Sequence, residues 1–153
     1  MLEFTIIVPV YNEELNLERV EKELKSYIKI AKKETAIVFI NDGSTDNSQQ
    51  FIEDICQRNK KFSFINFKEN KGLSAALKAG FDIVETPLLG YIDSDLQTSP
   101  KDFNILLDHI EKYDLVTGIR TQRKDSFIKN VSSKISNNIR TLFTHDGMED
   151  TCC

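Results

Sequence analysis

Two carboxylates, Asp93 and Asp95, stand one residue apart in Gly90-Tyr91-Ile92-Asp93-Ser94-Asp95-Leu96-Gln97, where an apolar run ends. At i and i+2 of an extended segment both side chains point to the same side and can share one hard cation, Mg²⁺ or Mn²⁺. Two carboxylates leave most of that ion's coordination positions to water or phosphate oxygens. Such an incomplete site suits a diphosphate that completes it, the metal neutralising charge on a departing nucleoside diphosphate. Gln97 adds an oxygen or orients a metal-bound water. The competing reading is a solvated turn before a helix capped by Ser99, with Pro100 at its first position.

Other strand ends carry polar groups as well. In parallel α/β sheets ligands lie outside the carboxyl ends of the strands. Here those ends read Pro9-Val10-Tyr11-Asn12-Glu13, Asn41-Asp42-Gly43-Ser44-Thr45-Asp46, Asp93 to Gln97, and Gly118-Ile119-Arg120. Asp42 can accept a hydrogen bond from a nucleobase N–H, or it belongs to a turn in which Gly43 permits the bend and Ser44, Thr45 or Asp46 caps the next helix. Glu13 reads either as an early-helix acid favoured by the macrodipole or as a ribose or base contact. Lys71-Gly72 opens a helix whose Ala75, Ala76 and Gly80 suit close packing on a sheet. Neither Gly-x-x-x-x-Gly-Lys-[Ser/Thr] nor Gly-x-Gly-x-x-Gly occurs, which disfavours ATP-binding and dinucleotide-binding folds. His109, His145 and the adjacent Cys152 and Cys153 lack the spacing of a zinc site.

The elements that must position these groups follow from periodicity. Short β-branched and aromatic runs at Phe4–Val10, Thr35–Ile40, Phe62–Phe67, Leu88–Ile92 and Asp114–Gly118 read as strands of a mostly parallel sheet. Val20, Leu24, Tyr27, Ile28 and Ala31 share one helical face, as do Leu73, Ala76, Leu77, Gly80, Phe81 and Val84. Phe51, Ile52 and Ile55 mark a shorter helix, and Phe103, Leu106, Leu107 and Ile110 the stripe of another. The alternation predicts an α/β fold.

The 153 residues make one ordinary domain, 40% hydrophobic and 29% charged with a formal net charge of -4, which argues against a generic nucleic-acid binder. Three cysteines offer no disulfide framework. No apolar run reaches the roughly 18 residues of a membrane span, so the chain reads as cytoplasmic or peripheral, and its ending suggests a fragment of something longer. We divide it into an α/β core over 1–118 and the start of an acceptor-side region over 119–153. There Arg120, Arg123, Lys124, Lys129, Lys134 and Arg140 form the one cationic stretch. Phe127, Val131, Ile135, Ile139 and Leu142 recur at helical spacing in the same region. That pattern fits a helix packed on the sheet or one lying at an anionic membrane surface, and both can hold at once.

Taken in order, Ile7-Val8-Pro9-Val10-Tyr11-Asn12-Glu13, Asn41 to Asp46, Asn70-Lys71-Gly72-Leu73-Ser74-Ala75-Ala76-Leu77-Lys78-Ala79-Gly80, Asp93 to Gln97 and Gly118-Ile119-Arg120 resemble the inverting nucleotide-sugar glycosyltransferases of the GT-A fold, family 2 type. The resemblance is strongest to the branch of dolichol-phosphate mannosyltransferases and polyprenyl-phosphate glycosyltransferases. It implies a C-terminally truncated GT-A domain. It further implies that Pro9, Tyr11, Glu13, Ile40 and Asp42 line a nucleoside pocket, that Ser94 contacts the nucleotide, and that Asp93, Asp95 and Gln97 hold the metal. Arg120 would face phosphate or sugar, and Asp150 would position the acceptor or act as base, although Cys152 stands where the family has Gly. The donor implied is GDP-mannose or a UDP-sugar, and the acceptor a polyprenyl phosphate or a saccharide hydroxyl. A nucleotide-sugar-binding fragment without catalysis, and a nucleotidyltransferase releasing pyrophosphate, are the competing readings.

Overall fold

A computed structural model of the chain describes residues 1–118. Four strands, β1 (Phe4–Val10), β2 (Thr35–Asn41), β3 (Phe62–Asn66) and β4 (Leu88–Tyr91), form one sheet in the order β3-β2-β1-β4. All three pairings are parallel. Every residue of β1 is buried, as expected of a central strand covered on both faces, and its apolar run, broken only by Thr5, lacks the alternation of a half-exposed strand. The expected strands therefore appear within a residue at each end, with one exception. The segment 114–118 pairs with nothing among the described residues and exposes Leu115. Its β-forming composition alone does not make a strand, because a strand requires a partner for its backbone groups.

The helices α1 (Leu17–Ile28) and α2 (Ser48–Arg58) cover one face of the sheet and α3 (Leu73–Ile83) the other. On α1 the residues Leu17, Val20, Leu24 and Tyr27 are buried against Ile6, Val8, Ile37 and Phe39, while Ile28 and Ala31 pack at the edge of the same cluster. The α3 face is narrower than expected. Ala76 and Gly80 are buried, but Leu73 and Phe81 are exposed. Gly80 lies so close to β1 that a Cβ there would meet Ile7 Cδ1 at 2.8 Å, so the helix axis sits near the sheet and its flanking residues project past the contact. Likewise Phe51 on α2 is exposed, and of that helix's apolar residues only Ile52 and Ile55 are fully buried.

After β4, Ser99 Oγ accepts the Lys101 N–H at 3.3 Å and starts a 3₁₀ turn (Pro100–Asp102) that continues as the single turn α4 (Phe103–Leu106). The longer helix expected over this stretch is thus a short one followed by turns. Phe103 anchors it, its ring edge-on to Phe4 with centroids 5.3 Å apart.

Two further contacts decide how α1, α2 and the strand-exit loops are locked. On α1, Glu21 is only 8% exposed. It accepts hydrogen bonds from Arg58 Nε (2.9 Å) and Asn59 Nδ2 (2.9 Å) at the end of α2. The Arg58 hydrogen bond, acting against the cost of burial and helped by Asn59 and Lys25, holds the Glu21 carboxyl at about 2. At the end of β2, Gly43 has φ +65°, and a Cβ there would lie 2.3 Å from the Glu69 carbonyl carbon and 2.5 Å from Asn70 N. Two backbones meet there with no room for a side chain.

Because the folded pKa of Glu21 is depressed, its contribution to stability is complete above the unfolded value near 4.5 and is lost as pH falls from there towards 2. Discounted for the half-exposed Arg58, it is roughly 1–2 kcal/mol. Denaturant unfolding at pH 7 should show Glu21→Gln destabilised by that amount, and the gap to the wild type should narrow below pH 4.5 and close only as pH reaches about 2. Gly43→Ala should cost about 2–4 kcal/mol, since it combines a left-handed backbone with a clash against main chain that cannot rotate away. A urea midpoint unchanged by this substitution would contradict the close approach.

Candidate nucleotide-sugar site

The sheet order reverses direction between β1 and β4, and the crevice at such a switch point is where parallel α/β sheets bind ligands. A cleft of about 320 Å³ opens there. Its lining comes from three strand ends and one helix start: Pro9, Val10, Tyr11 and Glu13 after β1, Asp42 after β2, Asp93, Ser94 and Asp95 after β4, and Asn70, Gly72, Leu73 and Ala76 at the start of α3.

Asp42 is 4% exposed. Its Oδ1 accepts the Lys71 N–H at 2.7 Å, and its Oδ2 accepts the Gly72 N–H at 2.9 Å and the Asn70 amide at 3.1 Å. A buried carboxylate demands such donors. It therefore fastens the 70–72 turn to the end of β2, which is why α3 starts at the cleft. The Asn70-Lys71-Gly72 segment is more than packing: it supplies a wall of the site. Its one sign in the sequence is the Asn70-Lys71-Gly72 turn between β3 and α3.

The loops after β1 and β2 are stapled to each other. Asn12 donates its N–H to Ser44 Oγ at 3.0 Å and accepts the Thr45 N–H on Oδ1 at 2.7 Å. Glu13 N donates to Ser48 Oγ (2.9 Å), Glu14 N to Asp46 Oδ2 (3.2 Å), and Asn47 N back to Glu14 Oε2 (2.9 Å). Asp46 Oδ1 also accepts the Ser48 N–H at 2.9 Å and so caps α2. Burial pushes the Asp46 carboxyl up, but the Ser48 hydroxyl and the surrounding N–H groups outweigh it and hold the group below the usual carboxylate range. The turn and cap reading of Asp42-to-Asp46 holds, and the loop so built places Asp42 in the lining of the cleft.

Asp93 and Asp95 reach the cleft by a route the sequence reading missed. The segment is a turn rather than extended: Leu96 N donates to Asp93 O at 3.2 Å, Leu96 takes φ +48°, and Asp95 Oδ1 accepts the Gln97 N–H at 3.0 Å. A positive φ costs an L-residue about 1–2 kcal/mol. Leu96 sustains it by burying its side chain in the core, and Arg19 Nη2 fixes its carbonyl at 3.1 Å. Ser94 is buried between the two acids at 6% exposure.

Two expected contacts fall elsewhere. Ile40 is fully buried with Ile7, Val38 and Ala76 beneath the cleft, because its position in β2 points it at α3. It supports the floor and does not line the pocket. Gln97 is exposed and outside the lining, carried away by the turn at Leu96. Arg120 and Asp150, with the whole cationic stretch, lie outside the described residues. Two carboxylates on one wall supply the hard oxygens that Mg²⁺ or Mn²⁺ requires, and among the described residues no third acid, His or Cys closes a cage around them. The donor set therefore fits an ion that shares its remaining positions with a ligand. Burial raises the Cys56 thiol to about 11, leaving it protonated at neutral pH. No helix among the described residues is long and apolar enough to cross a membrane.

Comparison with known proteins agrees with this arrangement. The chain is 34% identical over 133 residues to the uncharacterized glycosyltransferase YkcC of Bacillus subtilis, a match covering 84% of this chain and 40% of that protein. It is 33% identical over 153 residues to CsbB of the same organism, which also carries a glycosyltransferase name, with coverage of 95% and 46%. The chain thus spans less than half the length of these curated relatives. Among solved structures, the glucosyl-3-phosphoglycerate synthase of Mycobacterium tuberculosis, in complex with Mn²⁺, UDP and glucosyl-3-phosphoglycerate, superposes with a TM-score of 0.66 at 14% identity, covering 92% of this chain and 50% of that one. That likeness extends to the fold: a parallel α/β sheet of GT-A type. The family model described as Glycosyl transferase family 2 matches residues 5–151, and with the relatives it places this chain in that family.

Proposed function

We propose that the protein to which this chain belongs transfers a sugar from a nucleotide-diphosphate donor to an acceptor, with inversion at the anomeric carbon. One observation carries the reading: a single cleft at the switch point is lined both by the buried acceptor Asp42 and by the paired acids Asp93 and Asp95. The first suits a base, the second a metal-bound diphosphate. Membership of glycosyl transferase family 2 supports it.

In this scheme Pro9, Tyr11, Glu13 and Asp42 form the nucleoside end, and Ser94 contacts the nucleotide. Asp93 and Asp95 would hold Mg²⁺ or Mn²⁺, which when bound supplies positive charge beside the leaving diphosphate. The solved neighbour that binds UDP together with Mn²⁺ is consistent with that assignment. The chain's own part is preorganisation: the stapled loops and the Asp42 clamp hold the donor's binding groups in place before it arrives, so little ordering remains to be done on binding. Arg120 would face the phosphates or sugar. Asp150 would orient the acceptor, and would serve as base where that acceptor is a hydroxyl.

For the acceptor we favour a polyprenyl phosphate, as in the dolichol-phosphate and polyprenyl-phosphate branch. Its phosphate is already anionic and needs little help from a base. The basic amphipathic pattern of residues 127–142 would meet it at the cytoplasmic face of a membrane. A second reading rests on length: a chain spanning under half of its relatives would by itself be a nucleotide-sugar-binding unit, with catalysis completed by the remainder of the protein.

Release of nucleoside diphosphate from a panel of UDP- and GDP-sugars with Mn²⁺, with and without polyprenyl phosphate, separates these readings. Turnover stimulated by the lipid supports transfer to it, turnover stimulated only by an added oligosaccharide points to a saccharide hydroxyl, binding without turnover selects the binding unit, and pyrophosphate release from UTP or GTP supplied with a sugar 1-phosphate would indicate a nucleotidyltransferase. Asp95→Asn should abolish the Mn²⁺-dependent component of nucleotide binding while leaving the circular dichroism spectrum and unfolding midpoint unchanged. An unaltered affinity in a calorimetric titration would remove Asp95 from the metal site.

A further inference from the structure

The turn bearing Asp93 and Asp95 is held from outside by a side chain whose place in its own helix is unfavourable. Arg19 stands in the first turn of α1, beside Glu18, at the end where the helix dipole favours an acid and disfavours a cation. Its guanidinium reaches across 77 residues of sequence, Nη2 donating to the Leu96 carbonyl oxygen at 3.1 Å. That carbonyl and the Gln97 N–H belong to one trans peptide group, which is planar, so they point in opposite directions and cannot turn independently. The Gln97 N–H in turn donates to Asp95 Oδ1 at 3.0 Å. One rigid unit thus connects the Arg19 guanidinium with an oxygen of Asp95. The arm has a fixed base, because the loop leading into α1 is bonded to the loop after β2, from Glu13 N to Ser48 Oγ and from Glu14 N to Asp46 Oδ2.

We infer that Arg19 is a positioning residue for the divalent cation: by fixing the Leu96–Gln97 peptide it fixes the Asp95 carboxylate beside Asp93, so that the two acids present one site; this rests on the nucleotide-sugar reading of the cleft. The turn needs such support. Leu96 has φ +48°, a conformation that an L-residue keeps only where its surroundings over-determine it. Its buried side chain anchors the residue, and Arg19 sets the direction of its carbonyl. A guanidinium on the same turn as two carboxylates also acts through space, and that effect has the opposite sign. Through space alone it repels Mg²⁺ or Mn²⁺ and weakens binding. Through the peptide it strengthens binding, so the direction of the change on removing Arg19 separates the two.

The test reads the Mn²⁺ affinity of the 153-residue chain and of the full-length protein from the electron paramagnetic resonance signal of the free ion, and UDP and GDP affinities by calorimetry in EDTA and in Mn²⁺. Arg19→Ala should weaken Mn²⁺ binding about 10-fold, the worth of one hydrogen bond to a charged group, and the Mn²⁺-dependent part of nucleotide binding with it. Because Arg19 is exposed, nucleotide affinity in EDTA and the unfolding midpoint should stay as in the wild type, a split that a general loss of structure does not give. Arg19→Lys, which keeps a charged donor on a flexible stem, should recover part of the loss. Mn²⁺ binding that is unchanged or tighter in Arg19→Ala, a loss shared by nucleotide binding in EDTA, or a loss that Arg19→Lys does not reduce overturns the positioning role and leaves the nucleotide-sugar reading intact. Wild-type proteins that bind neither Mn²⁺ nor either nucleotide overturn that reading and the inference with it.

Discussion

The Asp42 carboxylate is the fixed point of this structure. A charge buried to 4% exposure is tolerable only when hydrogen-bonded, and the donors that satisfy it come from a turn 28 to 30 residues further along the chain. Meeting that demand draws the entry of α3 against the exit of β2. Gly43 then has to be glycine, because the main chain of Glu69 and Asn70 occupies the space a side chain would need. The cleft wall formed by Asn70, Gly72 and Leu73 follows from this one electrostatic requirement.

The rest of the rim is built from the same kind of exchange. Each of the three strand exits that form it contains a residue with positive φ: Asn12 after β1, Gly43 after β2 and Leu96 after β4. Sharp turns at the ends of central strands keep the loops short and over the sheet, and every such conformation needs compensation nearby. Asn12 finds it by bonding across to Ser44 and Thr45, Gly43 by lacking a Cβ, and Leu96 by burying its side chain. Polar residues that look like loop filler in the sequence, Asn12, Ser44, Asp46 and Ser48 among them, are spent on joining one loop to the next.

This explains what could be read from the sequence and what could not. The strands were legible because β1 and β2 are buried on both faces and are therefore almost wholly apolar, Thr5, Thr35 and Asn41 aside. That Asp42, Asp93 and Asp95 would gather at one rim was legible because all three follow strands of one parallel sheet, whose carboxyl ends lie side by side. Ile40 was misplaced by the same logic: being next to Asn41 and Asp42 in sequence says nothing of which face of the sheet it points to, and it points to α3. The exposure of Leu73 and Phe81 on a helix of apparently continuous apolar character could not be foreseen, since it depends on how near Gly80 lets the axis approach Ile7. The strand expected at 114–118 failed for a related reason, as pairing is a property of two segments and periodicity reports on one.

The two ends of the cleft differ in how firmly they are built, and the difference bears on how a donor would be received. The end at Asp42 is tied by main-chain donors to α3 and, through the Asn12 to Ser48 staples, to α1 and α2. The turn bearing Asp93 and Asp95 follows β4, which has a strand on one side only among the described residues. Bonds within the turn, one from Arg19 and the buried Leu96 side chain are among its supports. On the reading proposed above, the nucleoside would meet the end held by Asp42, and metal and diphosphate the turn that bears Asp93 and Asp95.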